Sequence, residues 1–234
     1  MTRTMIRKRI ALFVGLLVVF LVAFMPLSLA LSTTGTTGQQ LSARKATGTI
    51  WSGRLAEARI GPTAVGDVAV GLKPLSLLAG QMSIFMQSLV GRGTLTSLTR
   101  GFAIDDATAK LSTESVFAPI PLDTIDLTDV SVAFVAGRCE KAQGRVRATF
   151  TGDVGGLSLA QGLSGAIRCE GGALVLPLVS QSALERLSLY LQGDGRYRAE
   201  LFVRSTDPAM AGKLAAADFA PTQDGFVLRL AGKL

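Results

Sequence analysis

From Ile10 to Leu31 the chain runs for 22 residues without a charge. A helix rises about 1.5 Å per residue, so such a run is roughly 33 Å long against a hydrocarbon core of about 30 Å. The pattern predicts one membrane-spanning helix. Arg3, Arg7, Lys8 and Arg9 precede the run, and the next charge after it is Arg44. That asymmetry places residues 1–9 in the cytoplasm and exports everything beyond the span. A cleavable signal peptide is the competing reading, because Ser28-Leu29-Ala30 offers small residues at the cleavage spacing. The apolar run is longer than the usual core of such peptides, about 7–15 residues, so the anchor is preferred.

Small polar residues from Ser32 to Gln40 follow, and residues 32–45 read as a linker. The pattern then changes to period two. Val146, Ala148 and Phe150 share one face of a stretch, as do Tyr197, Ala199, Leu201 and Val203. Leu187, Leu189 and Leu191 do the same, and so do Met82, Ile84 and Met86. Phe226 to Leu230 repeats the alternation near the C-terminus. Each stretch predicts a strand with one buried face. Thr124–Phe134 alternates with a phase slip at Thr128-Asp129, which predicts a bulge or a break between two strands. Turns are expected at Gly91-Arg92-Gly93, Gly152-Asp153, Gly155-Gly156, Gly171-Gly172, Gly193-Asp194-Gly195 and Asp224-Gly225.

Helical signals are few. Asp207 can cap a helix that has Pro208 in its first position and Met210, Leu214 and Ala217 on one face. Ser182–Glu185 has capping-box spacing, and a further turn is expected after Pro74 through Leu78. The expected fold is therefore mainly β: an N-terminal transmembrane helix, then an antiparallel, meander-like domain with one or two short helices.

Composition narrows the chemistry. The net charge of +7 falls to +3 once the four basic residues of the tail are set aside. That balance, without interleaved basic and aromatic runs, gives no nucleic-acid footprint. The chain has no histidine, which removes Ser-His-Asp triads, Cys-His dyads and His-based zinc sites. No serine sits in a nucleophile turn. Asp105-Asp106, Asp123, Asp126 and Asp129 scatter over both faces of strands and read as solvated edges and turns. Cys139 and Cys169, the two cysteines, can pair in an exported domain or remain buried thiols, and pairing is preferred. The single tryptophan, Trp51, lies between glycines in Gly48-Thr49-Ile50-Trp51-Ser52-Gly53. It reads as a core anchor, with a docking residue as the other possibility.

Three segments together resemble a known family. They are Ala46-Thr47-Gly48-Thr49-Ile50-Trp51-Ser52-Gly53-Arg54-Leu55, then Val68-Ala69-Val70, then Pro74-Leu75-Ser76-Leu77-Leu78-Ala79-Gly80. With the ending Gly225-Phe226-Val227-Leu228-Arg229-Leu230-Ala231-Gly232, the chain resembles the N-protein family of type II secretion systems. One departure is Gly71, where the family pattern favours a larger, often aromatic residue. The resemblance implies an inner-membrane accessory component of a machine that exports folded proteins through an outer-membrane pore. It implies a cytoplasmic tail (1–9), a transmembrane anchor (10–31), a linker (32–45) and a periplasmic β domain (46–234). No enzyme activity, cofactor or metal is implied. The implied partners are other secretion components and the inner membrane, with Gly48, Thr49, Trp51, Gly53, Pro74, Leu78 and Gly80 as motif and docking residues. Further candidate contacts are a strand expected over Thr49–Ser52 and the mildly basic faces at Arg145/Arg147 and Arg198/Arg204. The rival expectation is an anchored lipid-handling or envelope-maintenance module with an open apolar sheet face.

Overall fold

The computed structural model describes residues 2–33, 41–60, 63–112, 122–151, 153–154, 157–159, 161–205 and 207–233. The chain forms two compact units, Met1–Leu89 and Val90–Leu234.

The first unit opens with two helices, α1 (Thr2–Ala23) and α2 (Leu27–Thr33). The unbroken helix expected from Ile10 to Leu31 is thus interrupted at Phe24–Pro26. Pro26 has no N–H to donate to the preceding turn, and its ring disfavours helical backbone at Met25. Among the described residues no helix is long and apolar enough to cross a membrane. Strands β1 (Leu41–Ser42), β2 (Lys45–Gly48), β3 (Gly53–Ile60), β4 (Thr63–Leu72) and β5 (Met82–Ser88) follow, with α3 (Pro74–Leu78) between the last two. The expected linker is therefore partly strand, and its residues 34–40 lie outside the described residues. The strands run β1-β3-β4-β5, all antiparallel, with β2 also paired to β3.

The core of this unit is small: Leu27 of α2 packs with Leu55, Ala58 and Val68, and Ala46 and Val70 lie against them. The strand expected over Gln81–Gln87 is present as β5, but it lacks the single buried face expected, since Ile84 and Phe85 on opposite faces are both half-buried. Met82 and Met86 are exposed and Ser83 is buried. Gly71 sits opposite Phe85 across the β4–β5 ladder. A Cβ there would stand 2.5 Å from Phe85 Cε1, so the ring fills the space an absent side chain leaves. The larger, often aromatic residue expected at position 71 is absent, and the Phe85 ring of the neighbouring strand lies over Gly71 instead.

The second unit contains β6 (Gly91–Leu98), β7 (Gly101–Ser112), β8 (Leu122–Val135), β9 (Arg138–Phe150), β10 (Asp153–Val154), β11 (Leu157–Ser158), β12 (Leu163–Ala166), β13 (Arg168–Glu170), β14 (Ala173–Val179), β15 (Glu185–Leu191) and β16 (Arg196–Val203). It ends with α4 (Pro208–Ala216), β17 (Ala220–Thr222) and β18 (Gly225–Lys233). Its main sheet has the order β6-β7-β8-β9-β12-β14-β15-β16-β18-β17, with β13 on β14. This is the expected antiparallel meander, except that β18 inserts between β16 and β17. The last border of the sheet is therefore a three-residue strand with Pro221 in its middle. β10 and β11 pair separately.

The inward faces match the alternation read from sequence. Val146, Ala148, Phe150, Leu187, Leu189, Ala199, Leu201, Val203 and Leu228 share one core cluster. Phe226, Leu230, Leu191 and Tyr197 pack against it. α4 closes this face. Asp207 Oδ1 accepts from Ala209 N at 2.9 Å, Pro208 occupies the first turn, and Leu214 is 0% exposed.

The phase slip at Thr128-Asp129 is a bulge within one strand. Asp129 has φ +49°, and the β8–β9 register jumps between Thr128 and Ser131. Two expectations are corrected. Gly91-Arg92-Gly93 lies in β6 rather than a turn, and Gly91 lets β7 approach so closely that a Cβ would meet Ala109. Ser182–Glu185 is not helical. Ser182 Oγ does donate to Glu185 Oε2 at 2.8 Å, but Ala183 at φ +59° turns the chain into β15. The turns at Gly171-Gly172, Gly193-Asp194-Gly195 and Asp224-Gly225 are present. Gly152, Gly155 and Gly156 lie outside the described residues.

Candidate functional site

The loop from Gly48 to Gly53 joins β2 to β3 and is not the strand expected over Thr49–Ser52; only an isolated bridge between Thr49 and Pro26 is formed there. Gly48 starts the loop at φ +88°, with Ser52 O 2.5 Å from where a Cβ would stand. Such backbone is open to glycine and strained for other residues. Thr49 N donates to Ser52 O at 3.1 Å, and Ser52 N donates to Thr49 Oγ1 at 3.3 Å, closing the loop on itself.

The closed loop grips the chain between α1 and α2. Ile50 N donates to Met25 O at 3.0 Å. Trp51 Nε1 donates to Val22 O at 3.2 Å. Gly53 leaves room for Leu27, whose Cδ2 would lie 2.5 Å from a Cβ at that position. On the other side Ile50 O accepts from Leu72 N at 2.9 Å, tying the loop to the end of β4. The segment is thus a socket that holds the end of α1, the start of α2 and the end of β4 at one point. Trp51 is half-buried. It is not the fully buried core anchor preferred from sequence. Its ring nitrogen is a second donor to Val22 O, which also accepts from Met25 N at 3.4 Å and whose i+4 residue, Pro26, has no N–H.

Pro74, Leu78 and Gly80 belong to α3 and its exit, two residues beyond the socket contact at Leu72. Ser76 Oγ donates to Lys73 O at 2.9 Å, Gly80 N donates to Leu77 O at 3.0 Å, and Gly80 has φ +70°. None of the residues of α3 is buried. The motif residues therefore fall into two groups in one unit: Gly48, Thr49, Trp51 and Gly53 make the socket, and Pro74, Leu78 and Gly80 shape an exposed apolar turn.

In the second unit Cys139 and Cys169 form the expected disulfide, with Cα atoms 5.4 Å apart. It joins β9 to β13, beside the hydrogen bond from Cys139 N to Gly172 O at 2.8 Å. Arg198 lies in β16, and Arg204 directly follows the strand. Arg198 stacks 4.8 Å over the Tyr190 ring, and Arg198 and Arg229 both approach Glu200. Arg147 Nη2 donates to Gln161 O at 3.1 Å. The acidic positions considered from sequence act locally. Asp106 N donates to Ser131 Oγ at 3.0 Å, and Asp129 exchanges hydrogen bonds with Thr108. Asp194, at the β15–β16 turn, is held below its ordinary value, first by the backbone N–H of Arg196 and then by the Arg196 side chain. Among the described residues no group of three or more His, Cys, Asp or Glu could hold a metal.

Sequence reasoning missed Val22, Met25 and Leu27 as partners of the Trp51 segment. Pro26 inside the apolar run was the available signal, because a proline there predicts a break for some other element to hold.

Fold and socket together define an antiparallel β-meander protein whose N-terminal helix is fastened to the first sheet by a glycine-bounded tryptophan loop. The family model described as type II secretion system (T2SS), protein N, matches residues 39–229, and the chain belongs to that family. The family is a secretion accessory component, not a known enzyme. No curated protein and no solved structure matches the chain.

Proposed function

We propose that the chain is a non-enzymatic accessory component of the type II secretion system, anchored in the inner membrane. Residues 46–234 stand in the periplasm, where they take part in exporting folded proteins across the outer membrane. The family match over residues 39–229 carries this reading. Two features support the placement. Arg3, Arg7, Lys8 and Arg9 of α1 lie at the end that the positive-inside rule keeps in the cytoplasm. The socket fixes the other end of α1 to the sheet, so a load on the sheet is transmitted to the helix. Partners are other secretion components, docked on the β surface.

The lipid-handling alternative draws on exposed Met82 and Met86. Against it, the Leu187/Leu189 face is closed by α4 through Leu214.

A clean deletion in the native host separates the two. If a secreted enzyme is retained in the periplasm while detergent resistance stays normal, the secretion reading stands. Normal secretion with a leaking envelope overturns it in favour of lipid handling.

A further inference from the structure

α3 is a single turn with three exposed leucines: Leu75 is 79% exposed, Leu77 41% and Leu78 86%. Surface leucines scattered singly are ordinary, but three on one five-residue helix beside exposed Met82 form a patch, and such patches mark interaction sites. Lys73 is the only charged residue between Val68 and Leu89. The surface there is therefore apolar with one cation at its border.

The socket says what that surface faces. Ile50 bonds through its N–H to Met25, at the end of α1, and through its carbonyl to Leu72, two residues before Pro74. A chain of two residues reaches at most about 7 Å, so α3 stands at the same end of the sheet as the exit of α1. The apolar side chains of α1, including Leu12, Phe13, Leu16, Leu17 and Phe20, are exposed as well. The bilayer that takes up α1 is the occupant continuous with both.

We infer that α3 is a second membrane contact: Leu75, Leu77 and Leu78 dip into the lipid surface from which α1 emerges. The inference rests on the proposed anchoring of α1. Short apolar elements of this kind lie in the boundary between head groups and acyl chains, and a flanking lysine can keep its charge among the head groups while its stem lies along apolar surface. With α1 as one point of attachment and α3 as a second, the first sheet is held at a fixed angle to the membrane instead of swinging about the helix.

The full chain is reconstituted in vesicles of phosphatidylethanolamine and phosphatidylglycerol, with and without bromine on the acyl chains. Leu78→Trp is compared with Gln223→Trp on an exposed turn of the second unit, Trp51 being kept in both. The emission added by Leu78→Trp should be blue-shifted and lost in brominated vesicles, while that of Gln223→Trp should remain red-shifted and unquenched. If the protein stays with the vesicles but position 78 behaves like position 223, this inference fails and the anchor stands. If the protein does not stay with the vesicles, both fail.

Discussion

Trp51 and Val22, 29 positions apart in sequence, are joined by a 3.2 Å hydrogen bond from the indole Nε1 to the main-chain carbonyl oxygen. A side chain in a loop thereby adds a second donor, beside Met25 N at 3.4 Å, to a carbonyl in the last turn of a helix. Trp51→Phe keeps most of the ring and removes the donor. The expected cost is about 1 kcal/mol, the usual net worth of such a bond. Amide exchange at Phe24 and Met25 should quicken while exchange in β15 and β16 stays unchanged, as measured by hydrogen–deuterium exchange. Unchanged protection at both residues would show that the bond does not hold the helix end.

Gly53→Ala tests the other wall of the socket. The new methyl would stand 2.5 Å from Leu27 Cδ2 and 3.0 Å from Thr49 O. Leu27 has to leave its place in the small core, and the expected loss is about 1–3 kcal/mol. Gly212→Ala is the opposite case. It lies in α4 with nothing within 4 Å, so helix propensity should raise stability by about 0.5–1 kcal/mol. Urea titrations of the two variants should move in opposite directions.

The Cys139–Cys169 bond closes a separation of 30 residues. Restriction of the unfolded chain gives a stabilisation of about 3–4 kcal/mol. The double replacement with serine should lower the unfolding free energy of the second unit by that amount and leave the exchange protection of the socket amides as it was.

Leu214→Ala opens the lid. The side chain is 0% exposed and sits among Leu187, Leu201 and Val203 in the same cluster. A loss of about 2–5 kcal/mol is expected, with a rise in binding of a hydrophobic dye at neutral pH. No rise in dye binding would show that α4 does not cover this face.

Asp194 gives a pH signature. Its carboxyl is held below its ordinary value, 3.8, chiefly by the Arg196 N–H. A carboxylate depressed in the folded state stabilises the fold above its unfolded value, and that contribution is lost as pH falls through the lower folded value. Carboxyl-carbon NMR should place the midpoint of Asp194 below that ordinary value. The Arg196 amide shift should follow the same titration and become flat in Asp194→Asn.

Much of the second unit was legible in the sequence because alternation with period two fixes both the strand and its buried face when only one face is covered. Leu187/Leu189/Leu191 and Ala199/Leu201/Val203 are such cases, and Asp207-Pro208 announced α4 through capping chemistry. Met82/Ile84/Met86 shows where that logic stops. The alternation marked a strand, but Met82 and Met86 are exposed and Phe85, of the opposite phase, lies over Gly71, a relation between two strands that neither stretch carries alone. The socket was legible only as a motif. Glycines around a lone tryptophan signalled a tight loop, while its partners Val22, Met25 and Leu27 lay in a run that reads as uniformly apolar. Gly91-Arg92-Gly93 failed for a related reason, since glycine there serves close approach to Ala109 rather than a change of direction.

The sheet of the second unit finishes on Ala220-Pro221-Thr222. A neighbouring chain that arrived at this border would find a template three residues long whose middle member has no N–H to offer. Open strands at a sheet's margin are ordinarily where like molecules stack into fibres. Here the stacking is starved at its first rung, so a protein made mostly of β-strands can be crowded into one assembly without polymerising across that border.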